Sequence, residues 1–258
     1  MATTTPALLA PDEASPVRVL RESGTSGYVL TADHAGKAIP RRLGDLGVAA
    51  ADLERHIGWD IGIAGVTERL SAALDATAAL QTYSRLVIDC NRDPAWPSAI
   101  PVISEFTEIP GNRNLTEADR ASRVGEIFRP YHDRIAGALD ARAATGRQTV
   151  LVAMHSFTPV FKGETRAIEV GVLYNQQTRL AEIMLDLLRH EGDLTVGENA
   201  PYALTEDSDY SVPLHGERRR LEHVEIEIRQ DLIATPDGQA RWADRFARLL
   251  TAALPRLG

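Results

Sequence analysis

The chain has 258 residues, 44% of them hydrophobic, with a formal net charge of −8 and a pI near 5.4. This length and hydrophobic content are sufficient for one large or two small α/β domains with a buried core. The acidic balance argues against a nucleic acid or an anionic membrane as partner, because both favour a basic protein surface.

The cysteine content and the N-terminus indicate a cytoplasmic protein. A single cysteine, Cys90, excludes an internal disulfide framework and favours a reducing compartment. The first residues are polar and interrupted by prolines, unlike a signal peptide, and the sequence has no apolar run long enough for a membrane span. We expect an N-terminal extension at 1–24 and one domain at 25–258.

Apolar runs of strand length alternate with longer segments of helical period. The predicted strands are 27–32, 85–90, 149–154, 168–174 and 223–229. The predicted helices are 61–76, 116–144, 176–190 and 238–253, the second capped at Thr116 and kinked or split at Pro130. This alternation predicts an α/β fold with a central mixed, mostly parallel sheet flanked by helices.

Two histidines stand directly after predicted strands. His34 follows the first strand and His155 follows the strand at 149–154. Ligands of α/β sheets collect outside the carboxyl ends of the strands. One histidine at such a place is typically structural, but two in matching positions favour a shared metal ion.

A hydrolytic zinc site needs a third protein ligand and leaves its fourth position to water. The segment "ERHIGWDIGIAGVTERL" offers His56, Asp60 and Glu68. Asp60 is favoured because it directly precedes the predicted helix, although an aspartate there can also be an N-cap. His56 remains a rival ligand, and Asp33 is expected to be a partner in a second layer or a loop carboxylate, not a ligand.

The strand "HVEIEIR" places four ionisable residues on one face: His223, Glu225, Glu227 and Arg229. Such a face is either an exposed edge or a wall of an active site. If it is a wall, a glutamate on it can serve as general base for a hydrolytic water.

Arginines are the candidates for binding an anionic substrate, because a guanidinium donates two parallel hydrogen bonds to a carboxylate. In "SRLVIDCNRDP", Asn91 and Arg92 follow a predicted strand; a surface ion pair of Arg92 with Asp89 or Asp93 is the alternative. Arg166 is a further cationic candidate. In the loop-like stretch 197–220, His215 is a candidate for polarising the substrate carbonyl, or is structural.

The ordered motifs "DHAGKAIP", "GWDIGIAGVTERL", "SRLVIDCNRDP", "MHSFTP" and "VEIEIRQDL" resemble the N-formylglutamate amidohydrolase family over about residues 28–232. The resemblance implies a fold like that of the zinc carboxypeptidases, with His34, Asp60 and His155 binding Zn²⁺ or another divalent transition metal. It implies Glu227 as general base, with Glu225 as the alternative. It also implies that Asn91 and Arg92 bind the substrate carboxylate.

The expected reaction is hydrolysis of N-formyl-L-glutamate to formate and L-glutamate, so the expected partner is a small anionic N-acyl amino acid. Two alternatives stay open at this point. One is a zinc hydrolase of another N-acyl amino acid or of a short peptide. The other is a non-catalytic protein that binds a small molecule on the same scaffold.

Overall fold

The computed structural model describes residues 7–205 and 208–258. The first six residues of the expected extension and residues 206–207 of the predicted loop lie outside this range. The described part of the chain contains no helix with the length and apolarity needed to cross a bilayer.

A seven-stranded sheet forms the centre of the molecule. Its strands in chain order are β1 (Val17–Leu20), β2 (Tyr28–Ala32), β3 (Thr77–Gln81), β6 (Val150–Phe157), β9 (Val170–Leu173), β10 (Val196–Glu198) and β11 (Glu222–Arg229). Two short hairpins lie outside the sheet: β4 (Ile103–Ser104) with β5 (Thr107–Glu108), and β7 (Val160–Phe161) with β8 (Glu164–Thr165).

The strand order is β1-β3-β2-β6-β11-β9-β10. The central pairs β3/β2, β2/β6 and β6/β11 are parallel, as is β9/β10, whereas β1/β3 and β11/β9 are antiparallel. The carboxyl ends of β2, β6 and β11 therefore meet at one edge of the sheet. The predicted class, α/β with a mixed, mostly parallel sheet, is confirmed.

Helices cover both faces of the sheet. They are α1 (Ala50–Leu53), α2 (Ile63–Leu74), α3 (Glu117–Arg123), α4 (Arg129–Ala144), α5 (Arg179–Glu191) and α6 (Pro236–Ala253). Helices α2, α5 and α6 bury their apolar residues against one face, and α4 does so against the other. Strands buried on both faces explain the nearly continuous apolar runs in the sequence.

The helix predicted at 116–144 begins as expected, with the side chain of Thr116 capping α3. It is interrupted by a π-helical turn at Val124–Phe128 before α4 begins. Pro130 stands in the first turn of α4, directly after this π-helical turn. The split therefore falls just before the proline.

The prediction of a strand at 85–90 is wrong. This segment is buried but irregular, and the strand of this region is β3, which the sequence reading missed. Side chains from elsewhere bind its backbone carbonyls: Asn112 Nδ2 donates to Leu86 and Arg123 Nη1 donates to Val87, both at 2.8 Å. Buried backbone groups need such partners, and here they come from side chains instead of a neighbouring strand.

The segment expected to be an N-terminal extension joins the domain. β1 pairs with β3 at the edge of the sheet, and Leu8 is buried in the core on the α4 side. The backbone N–H groups of Leu8 and Leu9 donate to the carboxylate of Glu126 at 2.8 and 2.9 Å. Short runs interrupted by prolines, such as 7–20, carry too weak a pattern for this packing to be predicted.

Candidate metal centre and cleft

The two histidines of the sequence pattern lie side by side at the carboxyl edge of the sheet. His155 lies near the carboxyl end of strand β6, and His34 follows β2, the parallel neighbour of β6. Their ring centroids are 5.0 Å apart with the planes at 68°. Both side chains are 3% exposed, so they are held rigidly in the interior.

Asp60 reaches the same point from the segment before α2. Its backbone N–H donates to the carbonyl of His34 at 2.9 Å, which fixes the two segments together. The N-cap of α2 is Gly62, not Asp60, so the carboxylate is free of a capping role. Gly62 has φ +84, and a Cβ there would lie 2.1 Å from the carbonyl oxygen of Ile233, so glycine is required at this tight entry.

The three side chains form one cluster. His34, Asp60 and His155 each offer a ligand atom, and these atoms all lie within 4.8 Å of one another. Oδ2 of Asp60 is 3.0 Å from Nδ1 of His155 and 3.5 Å from Nδ1 of His34. His56, the rival ligand, is not part of the cluster; its Nε2 lies 3.6 Å from the carboxylate of Glu105.

Each histidine turns its other ring nitrogen to a second carboxylate. Nε2 of His34 lies 2.7 Å from Oδ1 of Asp89, and Nε2 of His155 lies 3.6 Å from Oδ2 of Asp33. Asp33 accepts a 2.5 Å hydrogen bond from the hydroxyl of Tyr131. A carboxylate behind a histidine fixes its tautomer and raises its basicity as a metal ligand. Asp33 thus lies in the second layer in which it was expected.

The donor set fits a zinc ion. Two imidazoles and a carboxylate are typical catalytic zinc ligands, with the fourth place open. In the described part of the chain, Nδ1 of His34 is buried without a hydrogen-bond partner although its Nε2 is bonded to Asp89. An unsatisfied buried nitrogen is costly, and a cation between the rings would satisfy it.

The charges around the cluster hold its carboxylates ionised. Burial raises the pKa of Asp60, but the neighbouring His34 and His155 outweigh it and bring that pKa below its usual range. Burial likewise opposes ionisation of Asp89, and the guanidinium of Arg85 together with His34 lowers its pKa well below the usual value. Asp60 is therefore ionised at neutral pH, as a candidate metal ligand must be.

Glu225 and Glu227 form the wall beside this cluster. Both lie on β11, where Glu227 is in register with His155 and Glu225 with Ala153 on β6. Both line the cleft. Burial raises the pKa of Glu227 to about 7 and that of Glu225 well above its usual value. At neutral pH, Glu227 can therefore both accept and release a proton, and burial favours the protonated form of Glu225.

The cluster lies at the bottom of a cleft of about 460 Å³, a size typical of small-molecule sites. Two arginines, Arg85 and Arg92, are among its described lining residues. Nε and Nη2 of Arg85 both bond one oxygen of Asp89, at 3.0 and 2.7 Å, and its Nη1 is 3.6 Å from Asp60. Arg85 is thus engaged with two carboxylates of the site.

Arg92 has weaker ionic contacts than Arg85, although the two side chains are almost equally exposed. Its side chain is 26% exposed, with Nη1 2.8 Å from the carbonyl of Asn91 and 3.7 Å from Asp209. Asn91 also lines the cleft, but its side chain holds the facing loop: Nδ2 donates to Asp209, and Oδ1 accepts the N–H groups of Tyr210 and Ser211. Asn91 therefore positions the loop beside Arg92.

Two predicted site residues lie away from the cleft lining that the structure describes. His215 is buried, with its ring stacked on His132 and its Nε2 3.0 Å from Nδ1 of that residue. His215 is therefore not among the cleft-lining residues that the structure describes, and its contacts are with His132. Arg166 stands behind the lining, stacked on Phe161 and donating to the hydroxyl of Tyr202 at 2.7 Å.

Sequence reasoning gave no role to Arg85 and no place in the site to Tyr131 or Asp209. Arg85 precedes its partner Asp89 by four residues in an irregular segment, so strand alternation gives no signal for this pair. Tyr131 and Asp209 come from distant segments, and their approach depends on the tertiary fold.

Comparisons with known proteins show which family the chain resembles. The family model for N-formylglutamate amidohydrolase matches residues 26–234. The crystal structure of the gene product Atu2144 from Agrobacterium tumefaciens is similar, with 39% identity, a TM-score of 0.94 and coverage of 97% of this chain and 99% of that one.

A second similar structure is N-formylglutamate amidohydrolase from Ralstonia eutropha JMP134. It has 21% identity and a TM-score of 0.69, and the match covers 93% of this chain and 97% of that one. At this identity the likeness shows a shared fold. A search of curated proteins gives no match. The family match over most of the chain confirms the resemblance of the sequence motifs: the chain belongs to the N-formylglutamate amidohydrolase family.

Proposed function

We propose that the protein is a zinc-dependent amide hydrolase that cleaves N-acyl amino acids, with N-formyl-L-glutamate as the first substrate to be tested. The observation that carries the proposal is the convergence of His34, Asp60 and His155 beneath a cleft walled by Glu227. Membership in the amidohydrolase family supports the bond class. The substrate is suggested by the family alone.

The site residues have separate roles in the proposed reaction. A zinc ion held by His34, Asp60 and His155 would lower the pKa of a water ligand towards 7 and polarise the carbonyl. Glu227 removes a proton from the attacking water and delivers it to the departing nitrogen. A base with a pKa near the working pH is suited to both transfers, and burial gives Glu227 a pKa of about 7.

Arg92 is the proposed anchor for the substrate's α-carboxylate. Its guanidinium is partly exposed in the cleft and retains donors beyond its contacts with Asn91 and Asp209. Two parallel hydrogen bonds from this fork would fix the amino-acid half of the substrate relative to Glu227. Asn91 supports Arg92 indirectly by holding the loop that carries Asp209.

The test compares metal-stripped and zinc-reconstituted protein on N-formyl-L-glutamate and a panel of N-acyl amino acids, with amine release as the signal. Reconstituted wild type is expected to release amine, and stripped protein is not. Glu227→Gln should keep its zinc and lose about 10²–10⁴-fold in kcat. A protein that binds zinc and the panel but turns none of it over would be a binding protein, and the proposal would fail.

A further inference from the structure

The exposed apolar side chains of this protein are concentrated beside the cleft. The large hydrophobic residues that the structure describes as exposed all belong to three segments: residues 102–106, the β7–β8 hairpin, and the loop at 202. They are Val102, Ile103, Phe106, Val160 and Tyr202, which we call the apolar rim. Exposed apolar patches of this kind mark ligand or partner sites.

The three segments are tied to each other. The carboxylate of Glu105, on the turn of the β4–β5 hairpin, accepts the backbone N–H of Lys162 on the turn of the β7–β8 hairpin at 3.2 Å. Glu105 also pairs with Arg55. Arg166 connects the second hairpin to the loop, because it stacks on both Phe161 and Tyr202 with 4.7 Å to each ring centroid. The rim is therefore one continuous structure.

The rim is continuous with the cleft. Ile103 and Tyr202 line the cleft and also belong to the rim, and Phe161 lines it between them. The exposure of side chains increases from the metal cluster, at 3–4%, through Arg92 at 26%, to Ile103 at 55%. A long ligand bound at the cluster would therefore contact polar residues at the bottom of the cleft and apolar residues at its opening.

The two hairpins of the rim and the carboxylate anchor have different partners. Arg92 contacts Asn91 and Asp209, whereas the hairpins contact the segment before α2 through Arg55 and through His56, whose ring centroid is 6.5 Å from that of Phe161. In an N-acyl amino acid the α-carboxylate and the acyl group lie on opposite sides of the scissile bond. With the carboxylate at Arg92, an acyl group on the other side of the scissile bond has the apolar hairpin residues Ile103 and Phe161 as lining of the same cleft.

From this geometry we propose that the substrate carries an apolar acyl group longer than formyl, which lies against Ile103, Phe161 and the apolar rim. The inference rests on the proposed function for the orientation of the substrate. A formyl group would leave the apolar mouth of a 460 Å³ cleft without contact. A chain of several methylenes would cover it and gain affinity with each group removed from water.

The test measures binding separately from turnover. Zinc-loaded Glu227→Gln protein is titrated calorimetrically with N-formyl-, N-acetyl-, N-butanoyl- and N-hexanoyl-L-glutamate. We expect Kd to fall roughly two- to fourfold for each added methylene. Adding Ile103→Ser should flatten this dependence, whereas adding Glu164→Ser, an exposed polar residue of the β7–β8 hairpin, should preserve it.

A Kd that stays constant or rises along the series overturns the inference. Sedimentation of the wild type and Ile103→Ser would then show whether the rim instead joins two copies of the chain. Turnover of the same four compounds by the zinc-loaded wild type tests the proposed function on its own. Tighter binding without any turnover would refute the hydrolase and leave the apolar acyl site standing.

Discussion

Nε2 of His34 lies 2.7 Å from Oδ1 of Asp89, and this contact determines which nitrogen of His34 is available to a metal. Asp89 is held by Arg85, so it faces the ring as an ionised acceptor, and Nε2 carries the proton that it accepts. The lone pair then stands on Nδ1, the atom that points to Asp60 at 3.5 Å. Asp89 and Arg85, which lie behind His34, thus leave its Nδ1 available as a metal ligand.

Asp89→Asn is expected to weaken zinc binding about 10- to 100-fold, because an amide neither fixes the tautomer nor raises the basicity of His34. A competition titration with a zinc chelator measures the affinity. Asp93→Asn is the matched control, since Asp93 caps the turn at Ala95 from outside the cluster. Equal zinc affinity in the wild type and Asp89→Asn would show that the contact between Asp89 and His34 does not strengthen His34 as a zinc ligand.

Tyr131→Phe should weaken zinc binding about tenfold by removing the hydroxyl that orients Asp33 behind His155. Tyr28→Phe is a close control, because it removes another buried hydroxyl, the one bonded to the carbonyl of Leu250 at 2.8 Å. Both variants should lose about 1 kcal/mol in the free energy of unfolding of the metal-free protein. If the two variants bind zinc equally, the role of Asp33 is refuted.

Arg92→Lys should raise KM roughly 10- to 100-fold with little change in kcat, because an ammonium cannot make the paired hydrogen bonds of a guanidinium. Steady-state kinetics on the best substrate of the panel provide the values. The substrate's α-carboxamide serves as control, since without a carboxylate its KM should hardly respond to the substitution. An unchanged KM for the carboxylate substrate would place the anchor elsewhere.

The buried carboxyl of Glu227 should make the metal-free protein less stable as pH rises. Burial raises its pKa from 4.5 to about 7, so between these values the unfolded chain releases the proton and the folded protein keeps it. Stability relative to Glu227→Gln is therefore expected to fall across this range, on the order of 2–3 kcal/mol in total. Urea unfolding below and above the range measures it, and a constant difference between the proteins would contradict the assignment.

The sequence predicts the parts of the fold that periodicity controls. The strands that carry His34, His155 and Glu227 were predicted because β2, β6 and β11 are buried and apolar or alternating. Their parallel arrangement places the chemistry at one edge, which is why the cluster could be anticipated from strand ends. Asp60 followed from its position before α2.

The other features of the fold and of the site depend on contacts between residues far apart in the chain, which leave no local pattern in the sequence. Residues 85–90 read as a strand because they are apolar and buried, yet their carbonyls are bonded by Asn112 and Arg123 from a later segment. His215 was a reasonable loop candidate, but its stacking on His132 of α4 draws it into the core. Neither side-chain partnership is visible in sequence spacing, because each joins residues far apart in the chain.

The central claim is that His34, Asp60 and His155 bind one divalent cation. An anomalous difference map at the zinc absorption edge, from crystals of the zinc-loaded protein, tests it most directly. The account predicts a single strong peak about 2.0–2.2 Å from a nitrogen of each histidine and an oxygen of Asp60. A peak at His56 and Glu105, or no peak beneath the cleft at full zinc loading, would contradict it.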